Sequence, residues 1–217
     1  MELFVVFLNI FLFINFIKQI VFILDMKFSQ IEKQDLFKAW LMLSIAFAIV
    51  MGGFSFTFQF VKQMAIAAIT VGTGFLLHEM GHKFLAQQYG CVAEFRENMQ
   101  MLFLAVLMSF FGFIFAAPGA VYIGGKHVSI SENGKISAMG PFMNIILAFI
   151  FLGFLFYFPN NILVYYGFLI NSWLALFNMI PFSIFDGAKI IKWNKVVYGV
   201  MVAVSFLLLN VPPFIPK

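Results

Sequence analysis

Apolar residues gather along this chain into long runs at about 3–24, 39–58, 64–83, 101–117, 141–158, 162–181 and 196–212. A run of about 17–25 apolar residues has the length of a helix that crosses a lipid bilayer, and 101–117 and 196–212 sit at the short limit. Between the first two runs, DMKFSQIEKQDLFK (25–38) predicts a polar loop or an amphipathic surface turn. A second change of texture comes at GAVYIGGKHVSISENGKIS (119–137). There AVYI and KHVSI alternate or carry β-branched residues, and GG and NG supply turn signals. This stretch predicts a short β-hairpin, whose open edge could take up an extended peptide as an added strand.

The cationic residues decide how many runs cross, because Lys and Arg collect in cytoplasmic loops. Lys18 lies inside the first run and is set aside. With seven crossings the remaining cations divide six and six. If 101–117 returns to the face it left, ten fall on one side and only Lys62 and Lys217 on the other. The charges therefore predict an all-α polytopic membrane protein of about six transmembrane helices, with a re-entrant or interfacial segment at 101–117. Both termini lie outside, and the hairpin lies at the cytoplasmic face.

Composition agrees. The chain is 63% hydrophobic and 10% charged, with 33 Phe, whereas a soluble domain carries about 25% charged residues. A multi-pass protein of the cell membrane is expected, with the bilayer as its surroundings. The run 3–24 lacks a basic leader and a small-residue cleavage site, and is read as a retained span rather than a signal peptide. The net charge of +4 reflects loop placement. No basic run or aromatic platform points to nucleic acid. A single cysteine, Cys91, allows no internal disulfide and no thiolate cluster.

The candidate chemistry lies in GFLLHEMGHKFL (74–85). His78 and His82 are four residues apart and share one face of a helix, with Glu79 beside them. This is H-E-x-x-H, in which two imidazoles bind zinc and the glutamate acts as general base. Ionisable groups near the end of an apolar run are costly to bury and point to function. Tetrahedral zinc needs a third protein ligand and an open position for water. Elimination gives Asp186, in NMIPFSIFDG (178–187), a better claim to be the third than His127. The other acids lie in polar loops, and His127 belongs to the hairpin. Pro181 and Gly187 suggest that the chain is unwound there, which is tolerated at membrane depth only beside protein or a water-filled cavity. If 101–117 turns back, the runs 64–83 and 162–181 end at one face and His82 can meet Asp186; seven crossings would put them on opposite faces. Asn144 and Asn178 are intramembrane amides. They bind a substrate backbone or an oxyanion, or they join helix to helix.

HEMGH within a membrane helix, then GPFMN (140–144), then NMIPFSIFDG resembles the site-2 protease family of intramembrane zinc metalloproteases. Its HExxH, G-x-x-x-N and N-x-x-P-x-x-x-x-D-G elements occur here intact and in order, from about Thr70 to Gly187. The resemblance implies His78, His82 and Asp186 as zinc ligands and Glu79 as the catalytic acid/base. It also implies that Asn144 and Asn178 hold substrate or shape the site. The chain is expected to form a single domain over 1–217, with a catalytic core at about 64–190 flanked by spans in 1–58 and 196–217. Its expected partners are transmembrane protein substrates. The alternative is a non-enzymatic membrane zinc protein, a transporter or sensor.

Overall fold

The structure, a computed structural model, describes residues 26–114, 118–182 and 184–211. The predicted span 3–24 and the end of the last run lie outside the described residues. Helix α1 (Gln30–Gly52) begins inside the stretch read as a polar loop. Ser29 caps it, accepting the Glu32 backbone N–H at 3.1 Å, and Ser29 to Glu32 is an S-x-x-E helix-start signature. The charges that suggested a loop are partly buried in the fold. Glu32 is fully enclosed and accepts from the Lys83 ammonium at 2.7 and 2.6 Å and from the Phe95 N–H at 2.9 Å.

Helix α2 (Phe58–Gln88) is continuous over 31 residues, with a π turn at Ala68–Gly72. The Trp40 indole of α1 donates to the Ala68 carbonyl within that turn at 3.1 Å. Strand β1 (Val92–Glu97) follows. It pairs antiparallel with β2 (Gly119–Gly124), Val92 opposite Gly124 and Glu97 opposite Gly119.

The hairpin expected over 119–137 is therefore corrected. Its first strand exists, but the partner is VAEFRE upstream. The KHVSI half is not a strand, because Ser129 and Glu132 form a reciprocal capping box that starts helix α4 (Ile130–Tyr157) and carries Asn133-Gly134 into its first turns.

Between the strands, helix α3 (Met99–Ser109) has 11 residues, about 16 Å at 1.5 Å per residue. That is about half of a bilayer's apolar thickness of ~30 Å. The Asn98 N–H donates to the Pro118 carbonyl at 2.9 Å. The chain thus leaves the ladder at Asn98 and rejoins it at Pro118 in the same place.

Helices α5 (Ile162–Asn178), α6 (Asp186–Trp193) and α7 (Lys195–Asn210) complete the described chain. Helices α1, α2 and α4 are long and apolar enough to cross a membrane; α3, α5 and α7 are apolar but shorter. Helix α4 packs against α2, α5 and α6. One apolar cluster, with Leu43, Val71, Phe75 and Phe95, joins α1, α2 and the ladder. A second, with Ala148, Phe168, Ala175 and Ile190, joins α4, α5 and α6. Outside these cores Phe56, Phe111, Phe156 and Leu207 stand exposed, a surface suited to lipid rather than water.

Candidate metal centre

A spacing of four residues, close to one helical turn, puts His78 and His82 one above the other on α2, their ring centroids 4.7 Å apart. The third group arrives from far along the chain. Helix α5 ends at Asn178, and the non-helical stretch after it carries Pro181, which cannot continue the backbone hydrogen bonds. Asp186 then opens α6. Gly187 lets this turn sit against the end of α5, since a Cβ there would lie 2.2 Å from the Met179 carbonyl oxygen. The result is a compact group of three buried donors: His78 Nε2 to His82 Nε2 3.0 Å, His82 Nε2 to Asp186 Oδ2 3.1 Å, and His78 Nε2 to Asp186 Oδ2 3.3 Å.

The hydrogen bonds behind the rings say what these atoms offer. His82 Nδ1 lies 2.8 Å from the Ile136 carbonyl of α4. A carbonyl can only accept, so Nδ1 carries the proton and Nε2 of the neutral ring presents its lone pair. His78 Nδ1 lies 2.6 Å from Asn144 Oδ1, with the same consequence. Two imidazole lone pairs and a carboxylate oxygen then converge with no donor between them, an arrangement completed by a cation.

The residues fit zinc. Ligands ~2.0–2.1 Å from a tetrahedral ion lie about 3.3 Å from one another, close to the triangle observed, and the donor set leaves a fourth position. His78, His82 and Asp186 are the group suited to hold a metal among the described residues. Gly140 of α4 keeps the space open. A Cβ there would lie 2.3 Å from His82 Nε2 and 2.6 Å from His78 Nε2, where a bound ion belongs.

The three donors lie in the wall of a cavity of about 670 Å³. Helices α1 and α5 contribute apolar side chains such as Phe47 and Trp173, and β2 contributes Gly119 to Val121 and Ile123. Glu79 lines the same cavity, buried, with Oε2 lacking any hydrogen-bond partner among the described residues. Asn144 is fully enclosed. Its Oδ1 faces His78, and its amide nitrogen donates to the Gly74 carbonyl at 3.1 Å and to Asn171 Oδ1 at 3.0 Å. Asn178 donates to the Leu174 carbonyl at 2.9 Å and lines the cavity half-buried. His127 stands exposed after β2, outside the donor group.

Three neighbours escaped the sequence reading. Lys189, one turn after Asp186, places its ammonium 3.8 Å from Asp186 Oδ1 and lines the cavity. The Ile136 carbonyl carries no signal in any sequence. Asn171 does carry one: it is an amide inside the run 162–181, marked by the same argument that singled out Asn144 and Asn178.

Over 180 residues the chain is 39% identical to "Putative zinc metalloprotease MJ0611" of Methanocaldococcus jannaschii, a match covering 81% of this chain and 91% of the relative. No family model matches the chain, and no solved structure does.

Proposed function

This chain belongs to the family of the archaeal zinc metalloprotease it matches, and on that premise we propose that it is an intramembrane metalloendopeptidase of the site-2 protease type. It hydrolyses a peptide bond within or next to a transmembrane segment of another membrane protein. The observation that carries this reading is the convergence of His78 Nε2, His82 Nε2 and Asp186 Oδ2 beside Glu79, whose Oε2 has no hydrogen-bond partner among the described residues, all facing one cavity.

When bound, zinc supplies a Lewis acid for the scissile carbonyl and a water made acidic enough to attack near neutral pH. Glu79 is the proton carrier. It takes a proton from the attacking water and returns it to the amine as the C–N bond breaks. Its free Oε2 in a largely apolar cavity suits that task. Gly140 keeps the space between the imidazoles, and Lys189 holds the side of Asp186 turned away from them.

A substrate helix hides its carbonyls in its own hydrogen bonds and must be drawn out before it can be cut. Strand β2 borders the cavity and is hydrogen-bonded to β1 along one edge. Its other edge is our candidate for holding the unwound segment as an added strand. Asn178 is placed to bind the backbone of that segment. In the membrane, the return of the chain at Asn98 and Pro118 supports a re-entrant course for the segment that α3 begins. The ends of α2 and α5 then share the cytoplasmic face, so cleavage releases a cytosolic fragment, as in regulated intramembrane proteolysis. A zinc carrier would string ligands along a path across the bilayer, whereas here they form one group among the described residues.

The test pairs zinc stoichiometry on the purified chain with cleavage of a model transmembrane substrate. Wild type should bind zinc and cut, and Glu79→Gln should bind zinc and not cut. Zinc flux into liposomes without any cleavage would favour a transporter instead.

A further inference from the structure

The two histidines are held by unlike partners. His82 is fixed by the backbone carbonyl of Ile136, which cannot exchange acceptor for donor. His78 is fixed by the side-chain amide of Asn144, and an amide can turn over. Rotated by half a turn, Asn144 would offer its NH2 to His78 Nδ1. That nitrogen would then have to accept, the ring proton would move to Nε2, and the lone pair facing Asp186 would be lost. Metal ligation by His78 therefore depends on which way an amide points.

The surroundings of Asn144 determine its orientation. Its Nδ2 has two acceptors, the Gly74 carbonyl at 3.1 Å and Asn171 Oδ1 at 3.0 Å. Asn171 is itself an amide, and its own Nδ2 donates to the Gly167 carbonyl at 2.8 Å. The chain of bonds thus runs from Gly167 O through Asn171 and Asn144 to His78. Backbone carbonyls at Gly167 and Gly74 anchor it, and each allows only one direction. Both asparagines are fully enclosed, so no water substitutes for a missing partner. The network crosses α5, α4 and α2.

We infer that Asn171 is a positioning residue, which locks the amide of Asn144 and through it the tautomer with which His78 presents Nε2 to the metal. The inference rests on the metal reading of the site and extends it to a residue outside every motif in the chain. A partner that orients a ligating histidine is worth about 10–100-fold in metal affinity.

The test measures zinc affinity by chelator competition on the full chain in detergent, for wild type, Asn144→Leu, Asn171→Leu and the double variant. Each single change should weaken zinc binding by about tenfold or more. The double variant should be no weaker than Asn144→Leu, because Asn171 then has nothing to act through. Wild-type affinity in Asn171→Leu, or single effects that multiply in the double, would overturn the inference while leaving the metal site standing. A wild-type chain that binds no zinc overturns the metal reading and this inference with it. If the leucine variants fail to fold, histidine 15N NMR of the zinc-free wild type decides, because bound zinc would by itself fix the proton on Nδ1. A protonated Nδ1 on His78 supports the network, and a bare Nδ1 overturns it.

Discussion

The two halves of the site are built by different means. His78 and His82 stand on a continuous helix, where 3.6 residues per turn superimposes positions four apart without help from the rest of the fold. Asp186 stands at the start of an eight-residue helix, after a break, and reaches the histidines only because α6 is packed on α4 and against the end of α5. The histidine half is a property of one helix. The aspartate half is a property of the assembly, so its errors should come from residues that never touch the ion.

Removing a ligand tests whether both halves are needed. His78→Ala and Asp186→Ala should each abolish bound zinc and cleavage together, read by metal analysis of the purified chain. Zinc retained at the wild-type level in Asp186→Ala would remove the aspartate half from the site. Next in size is Glu79→Gln, which belongs to the histidine half by position but not by role. Zinc should stay, and hydrolysis should fall by about 10²–10⁴, measured on a transmembrane substrate at equal metal content. Equal rates would take the proton-carrying role from Glu79.

The same division explains what could be read in the sequence. Spacing along one helix is local, so His78, Glu79 and His82 could be placed from HEMGH alone. Asp186 could be named only by elimination, because its partner lies more than a hundred residues away. Two helix starts carry a local signal that their surroundings mask. Ser29 with Glu32, and Ser129 with Glu132, are both S-x-x-E helix starts. The charges around the first suggest a loop, and the β-branched residues before the second suggest half of a hairpin. The true partner of β2, VAEFRE, alternates only weakly and comes before α3 in the chain. What no local pattern contains is the pairing of Lys83 with Glu32 or the amide chain from Asn171 to His78. Such contacts are defined by how helices meet.

Glycine substitutions put the comparison on a finer scale. Alanine at Gly187 would drive a Cβ to 2.2 Å from the Met179 carbonyl oxygen. Backbone must shift, and Asp186 shifts with it. A misplacement of ~1 Å near reacting groups costs roughly 10²-fold in rate, and Gly187→Ala should show a loss of that order. Gly81 lies between the histidines, where a Cβ would meet the Met139 carbonyl and Met143 Cγ at 3.0 Å. A few tenths of an ångström relieve that contact while the helix keeps both imidazoles in step. Gly81→Ala should therefore lose much less than Gly187→Ala, both measured as kcat/KM, and the reverse order would undo the distinction between a helical and an assembled half-site.

The smallest effect on the chemistry is expected from Glu32→Gln. Lys83 follows His82 in sequence, but adjacent helix residues point about 100° apart and do not face each other. Lys83 turns instead to Glu32 and to the ring of Phe28, with its ammonium 4.4 Å from the ring centroid. Removing one charge of a buried pair leaves the other uncompensated, at a cost of about 3–5 kcal/mol. Glu32→Gln should lower the thermal unfolding midpoint markedly, and replacing both partners, Glu32→Leu with Lys83→Met, should recover much of the loss. Zinc affinity of the chain that remains folded should stay within a few-fold of wild type, because the contact that orients His82 comes from Ile136 on α4 and not from α1. If zinc affinity instead fell in step with stability, the histidine half would also depend on how the helices assemble, and the contrast with Asp186 would be one of degree.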